Sequence, residues 1–189
     1  MDAQWTMWLT TTALALVMLL VLRPVATRVG LIDVPGDRKQ HTGHIPLIGG
    51  VGSFAALALA WFVLMPSNEH FQLFFSCAFV LVSIGAIDDA RDLPAKFRLG
   101  AQIAMAIVLV TGTGLYLDGF GDLLGFGVIE FGPWLGALLT IAAVIGATNA
   151  FNMMDGIDGL AGMMSLVSLL ALTYLFSASP NFDFELILA

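Results

Sequence analysis

A chain of 189 residues in which 59% are hydrophobic and 11% charged lies far below the roughly 25% charge of a soluble domain. Its mean hydropathy of +0.93 excludes an ordinary soluble enzyme, and a single cysteine, Cys77, excludes an intrachain disulfide. The net charge of −7 says little by itself about partners, and no nucleic-acid partner is expected of so acidic a chain.

Crossing the hydrocarbon takes about 20 mostly apolar residues. Six segments qualify: 5–22, 47–65, 71–87, 99–117, 131–148 and 160–176, none of which contains Lys, Arg, Asp or Glu. Their Leu, Ala, Val and Gly without strict alternation argue for helices over a transmembrane barrel. The expected fold is therefore all-α, a polytopic transmembrane bundle of about six helices in one domain over residues 1–189. The leader "MDAQ" has no positive charge and no A-x-A site follows the first run, so that run is read as an uncleaved helix rather than a signal peptide. Cys77 falls mid-helix, where a small core role is the plain reading.

Between these runs, 23–46 is the longest connection and 66–70 a tight one. The connection 118–132, "DGFGDLLGFGVIEFG", has glycines and an alternating stretch that predict a small β-hairpin. All seven Lys and Arg residues lie on one side of the expected topology: Arg23, Arg28, Arg38 and Lys39 in the first loop, Arg91, Lys96 and Arg98 in the loop 88–98. The other side has no Lys or Arg and holds acidic residues, among them Glu69, Asp118, Asp122 and Glu130. The positive-inside rule then places the N-terminus outside and the basic loops in the cytoplasm, and Trp5, Trp8, Trp61, Trp134, Tyr116 and Tyr174 map to the outer helix ends as an interfacial belt.

Three inner stretches carry chemistry. In "IGAIDDARDLPAKFR" the adjacent Asp88 and Asp89 repel one another and stand at the unfavourable, negative end of a helix. A divalent cation such as Mg²⁺ would resolve both problems; so would ordinary pairing with Arg91, Lys96 or Arg98. In "DRKQHTGHIPLIGG" the cations Arg38 and Lys39 suit phosphate, and Gly49, Gly50 and Gly52 allow either a close ligand approach or tight helix packing. His41 and His44 lack the further ligands a zinc site needs. In "NAFNMMDGIDGLAG" the residues Asn149, Asn152, Asp155 and Asp158 recur every third position, along one slanted stripe of a helix. Ionisable groups at a membrane boundary are functional candidates. An EF-hand is excluded, because Leu166 falls where a bidentate Glu is required. Capping of the sixth helix would explain Asp158 alone. Together the three stretches predict a metal-dependent site for a phosphorylated substrate at the membrane surface.

In this order and spacing, "GLIDVPGDRKQHTGHIPLIGG", "IGAIDDARDLPAKFRLGAQ" and "TNAFNMMDGIDGLAG" resemble the polyprenyl-phosphate N-acetylhexosamine-1-phosphate transferases, of glycosyltransferase family 4 type. The likeness is strongest to the undecaprenyl-phosphate N-acetylglucosamine branch; the branch acting on UDP-MurNAc-pentapeptide has different first and second motifs. The resemblance implies transfer of GlcNAc-1-phosphate from UDP-GlcNAc to undecaprenyl phosphate with Mg²⁺, or Mn²⁺ in its place, releasing UMP. The setting it implies is the bacterial plasma membrane, and the step is the first membrane step of cell-envelope polysaccharide synthesis. It implies Asp88 and Asp89 as catalytic residues and Asn152, Asp155 and Asp158 as metal ligands. It implies Arg38, Lys39, His41, Lys96, Arg98 and Asn149 as substrate-binding residues. The resemblance covers the N-terminal part of a ten- or eleven-helix transferase. A later Gly-Asp-x-Gly-Ser motif and a His-rich inner loop are absent from the 189 residues, so an incomplete catalytic floor, with exposed helix faces favouring a homo-oligomer, is expected. A catalytically silent module pairing with a full-length relative is the alternative. A transporter would carry its carboxylates near the midplane, not at helix ends.

Overall fold

The computed structural model describes residues 3–33, 45–64, 68–122, 125–154 and 159–178. Six helices carry them: α1 Ala3–Val29, α2 Gly49–Leu64, α3 Glu69–Arg91, α4 Ala95–Thr113, α5 Pro133–Met154 and α6 Leu160–Ala178. Two short antiparallel ladders join β1 Ile32–Asp33 to β2 Ile45–Pro46 and β3 Gly119–Gly121 to β4 Ile129–Glu130. Helices α1, α3, α4 and α5 are long and apolar enough to cross a membrane, while α2 and α6 offer shorter apolar stretches. The protein is an all-α polytopic membrane protein, as its composition predicts. It forms two compact units, Met1–Met105 and Ala106–Ala189.

In the first unit α1 outruns its apolar segment, continuing through Arg23 and Pro24 to 27 residues. An internal proline removes one backbone bond and ordinarily ends or kinks a helix. Here the turn persists, and Thr27 Oγ1 donates to the Pro24 carbonyl at 2.9 Å. The helix ends at Gly30, whose φ is +79°, and the Leu31 N–H donates to the Ala26 carbonyl at 3.0 Å. This is the six-to-one bond of a Schellman cap, which needs a left-handed residue that glycine supplies. The chain then enters β1, where Ile32 faces Pro46 and Asp33 faces Ile45. Beside them the Leu47 N–H donates to the Leu31 carbonyl at 3.0 Å. This clasp, which the sequence pattern does not announce, joins the two ends of residues 34–44 at the entrance to α2.

Helix α2 carries Gly52, Ala56 and Ala60, all buried. Their spacing of four puts them on one face, and small side chains allow the close approach that membrane helices use in place of a hydrophobic driving force. A Cβ on Gly52 would lie 2.8 Å from Leu19 Cδ2 of α1. Gly52 therefore serves helix packing, whereas nothing lies within 4 Å of the Cβ positions of Gly49 and Gly50. Aromatic rings join α2 to α3. Trp61 stacks on Phe71 at 4.1 Å, and the buried Phe75 meets Phe54, Trp61 and Phe62 at 6.3, 5.8 and 6.0 Å. Asn68 caps α3, its Oδ1 accepting from the N–H groups of His70 at 2.9 Å and Phe71 at 3.2 Å. Cys77 is buried, as expected.

The second unit contains the predicted hairpin. β3 and β4 pair Gly119 with Glu130 and Gly121 with Ile129, with an irregularity between. At its root the Phe131 N–H donates to the Asp118 carbonyl at 2.7 Å, and Phe120 meets Phe131 edge-on at 4.7 Å. The segment leading into it lies along α5. The Leu117 N–H donates to Thr140 Oγ1 at 2.8 Å, and that hydroxyl donates to the Gly136 carbonyl at 2.8 Å. A Cβ on Gly136 would collide with the Leu117 carbonyl and lie 2.8 Å from the Tyr116 ring. Gly136 is thus the position that lets irregular backbone press against a helix.

Candidate functional site

The expected loop 88–98 is mostly helix. α3 continues through Asp88 and Asp89 to Arg91, and α4 begins at Ala95, leaving three residues between them. The apolar run stops at Ile87 because charge begins there; the helix stops where a cap forms. Pro94 disfavours helical backbone at Leu93, so Asp92 must close α3. It does so with φ +52°, a left-handed conformation that Asp tolerates better than most residues, and its N–H donates to the Asp88 carbonyl at 2.7 Å. The Pro94 carbonyl accepts from the Phe97 N–H at 2.9 Å and starts α4.

Asp88 organises this turn. Its Oδ1 accepts from the Leu93 N–H at 2.8 Å and its Oδ2 from Arg98 Nη1 at 2.6 Å. Alone, each charge is misplaced: a carboxylate at the C-terminal end of α3 and a guanidinium in the first turn of α4 both oppose their helix dipoles. Paired across the turn, each offsets the other. The side chain of Asp88 is 15% exposed and that of Arg98 37%, so this is a half-buried ion pair, the pairing that needs no metal. Asp89 and Lys96 are exposed on the same turn region.

The third stretch divides between helix and loop. α5 extends to Met154, six residues past its expected end, which places Asn149 and Asn152 on its last turns. Asn149 is half-buried and its Nδ2 donates to the Ile145 carbonyl at 2.9 Å; Asn152 is exposed. Asp155 and Asp158 lie outside the described residues, as do Arg38, Lys39 and His41. At α6 the Gly159 carbonyl accepts the Met163 N–H at 2.9 Å. Gly159 is the residue before the helix, and the capping account of Asp158 falls outside the described residues.

The structure thus brings together Asp88 and Arg98 from the predicted set, with Asp89 and Lys96 beside them, all in the first unit; Asn149 and Asn152 share one helix end in the second. Sequence reasoning missed Asp92, whose signal was the Leu93–Pro94 pair that forces a helix end. Among the described residues no group of three or more His, Cys, Asp or Glu side chains is placed to hold a metal. The donors assigned to Mg²⁺, two carboxylates and an amide, are hard oxygen ligands of the kind it takes. A cleft of about 400 Å³ lies in the hairpin, lined by Asp118, Gly119, Gly121, Val128, Glu130 and Phe131; with two carboxylates and no cation it does not suit a diphosphate.

The model of the family described as Glycosyl transferase family 4 matches residues 71–189. The chain belongs to this family. Among curated proteins, the undecaprenyl-phosphate alpha-N-acetylglucosaminyl 1-phosphate transferase of Yersinia pestis is 40% identical over 133 residues, covering 70% of this chain and 36% of the relative. The protein of that name from Escherichia coli O157:H7 is 43% identical over 129 residues, 68% of this chain and 35% of the relative. The one from Haemophilus influenzae is 38% identical over 131 residues, 69% and 37%. The match spans about a third of the length of these relatives. No solved structure matches the chain.

Proposed function

We propose that this family 4 chain takes part in transferring GlcNAc-1-phosphate from UDP-GlcNAc to undecaprenyl phosphate at the bacterial plasma membrane. A lipid-phosphate oxygen bonds to the sugar-bearing β-phosphorus, the bond to the α-phosphate oxygen breaks, and UMP leaves. The products are undecaprenyl-pyrophosphoryl-GlcNAc and UMP. The observation that carries this reading is the family membership together with the Asp88–Asp89 pair at a helix end beside Lys96 and Arg98.

Phosphoryl transfer asks little covalent chemistry of a protein beyond positioning and charge neutralisation. In this reading Asp88 is a positioning residue, since both its oxygens already accept hydrogen bonds within the turn. Asp89, exposed at the same helix end, is the carboxylate this reading assigns to the lipid phosphate, and Lys96 and Arg98, with Arg38, Lys39 and His41, meet the diphosphate. Asn152, Asp155 and Asp158 would hold Mg²⁺, or Mn²⁺ in its place, with Asn149 beside them; bound there, the ion would neutralise diphosphate charge. The distribution of Lys and Arg supports a cytoplasmic position for these residues.

Membranes containing the chain alone, or co-expressed with the part of the Yersinia pestis relative that it does not match, are incubated with radiolabelled UDP-GlcNAc, undecaprenyl phosphate and Mg²⁺. Labelled lipid is expected from the co-expressed pair and lost with Asp89→Asn, by at least about a hundredfold on the scale of acid–base contributions. Absence of lipid product from both preparations would favour a silent module, and unchanged turnover in Asp89→Asn would remove the role given to that residue.

A further inference from the structure

We propose that the α4–α5 hairpin is an aromatic anchor seated in the headgroup region of the bilayer, with Phe126 as its inserting residue. The hairpin joins two helices that are each long and apolar enough to cross a membrane, so continuity of the chain places it at a bilayer boundary. Its tip is built to present one side chain. Phe126 stands between Gly125 at φ +71° and Gly127 at φ +113°, conformations that glycine adopts at no steric cost. The Gly127 N–H donates to the Asp122 carboxylate at 3.0 Å, closing the turn around it. Phe126 is 94% exposed. Val128, two residues along, is 66% exposed, and Trp134 at the start of α5 is 87% exposed. Water is a poor solvent for such a surface, whereas aromatic rings collect at the membrane–water interface.

Charge narrows the partner. The hairpin carries Asp118, Asp122 and Glu130, and no Lys or Arg occurs after Arg98. Attraction to anionic lipid therefore has no basis here, and binding rests on partition of the rings among phospholipid headgroups of any charge. The anchor also has something to hold. The segment just before the hairpin is tied to α5 through Leu117, Gly136 and Thr140. Its depth therefore sets the depth of α5, a helix of 22 residues and about 33 Å that bears Asn149 and Asn152 at its far end.

The test uses the full chain in phosphatidylcholine proteoliposomes. With Cys77→Ala no native cysteine remains, and Phe126→Cys takes a nitroxide spin label. Leu138→Cys, 63% exposed within α5, serves as the lipid reference. Power-saturation EPR should show the label at 126 reached by oxygen more readily than by a water-soluble nickel complex. Its depth should be shallower than at 138 and unchanged when part of the lipid is replaced by phosphatidylglycerol. Val128→Cys must report the same, which guards against a disturbed tip. Nickel access equal to that of a label free in water would overturn the proposal. So would shielding from both reagents, which means a protein contact, or a depth that depends on anionic lipid.

Discussion

The two connections of α4 solve one problem by opposite means. Both must end one apolar helix and lead into the next. The entry from α3 takes three residues and is held by charge: Asp88 ties the Leu93 N–H and the Arg98 guanidinium, and Asp92 accepts a left-handed backbone. The exit to α5 is long and held by contact: Leu117 on Thr140, with Gly136 leaving room. The entry lies among the chain's cations and the exit where there are none. Where both signs of charge were available, an ion pair did the work; elsewhere backbone hydrogen bonds and the absence of one Cβ did it.

This contrast can be broken from either end. Gly136→Val should have the largest effect, a loss of about 3 kcal/mol, because the group it would strike is a backbone carbonyl that cannot rotate away; thermal unfolding in detergent would show it, with no dependence on salt. Asp88→Ala should cost about 2 kcal/mol at low ionic strength. That is less than for a fully buried pair because Arg98 keeps contact with water, and the loss should shrink as salt screens the native pair. Equal salt dependence in the two variants would erase the distinction. Asn68→Ala, which removes the α3 cap at the other end of that helix, should cost about 1 kcal/mol and lower the same melting temperature. Asp92→Gly sharpens the comparison in the stabilising direction. Relief of a left-handed residue, partly offset by glycine's greater freedom when unfolded, should raise stability by about 0.5 kcal/mol.

Apolar content made all six helices legible, and glycines with alternation made the hairpin legible. Helix ends were not, because an apolar run stops at its first charge while a helix stops at its cap. α3 gained Asp88 through Arg91, and α5 gained Asn149 through Met154. In α1 a proline and an arginine read as a stop, yet the helix ran on to Gly30. The polar groups of the candidate site were visible by residue type. What sequence could not choose was a partner for Asp88, since Arg91, Lys96 and Arg98 all lay within reach and only the geometry of the turn singles out Arg98. The β1–β2 ladder escaped notice because two residues per strand, one of them Pro46 without an N–H, leave no pattern to read.

That small ladder has a consequence for how such proteins diversify. The ladder holds Asp33 and Ile45 opposite one another whatever the length of chain between them. Lengthening that connection is thermodynamically mild, about 0.6 kcal/mol for each doubling, and leaves the seat of Gly52 on Leu19 untouched. A change in the length of chain between Asp33 and Ile45 can therefore be absorbed at the ladder, ahead of the membrane helices on either side.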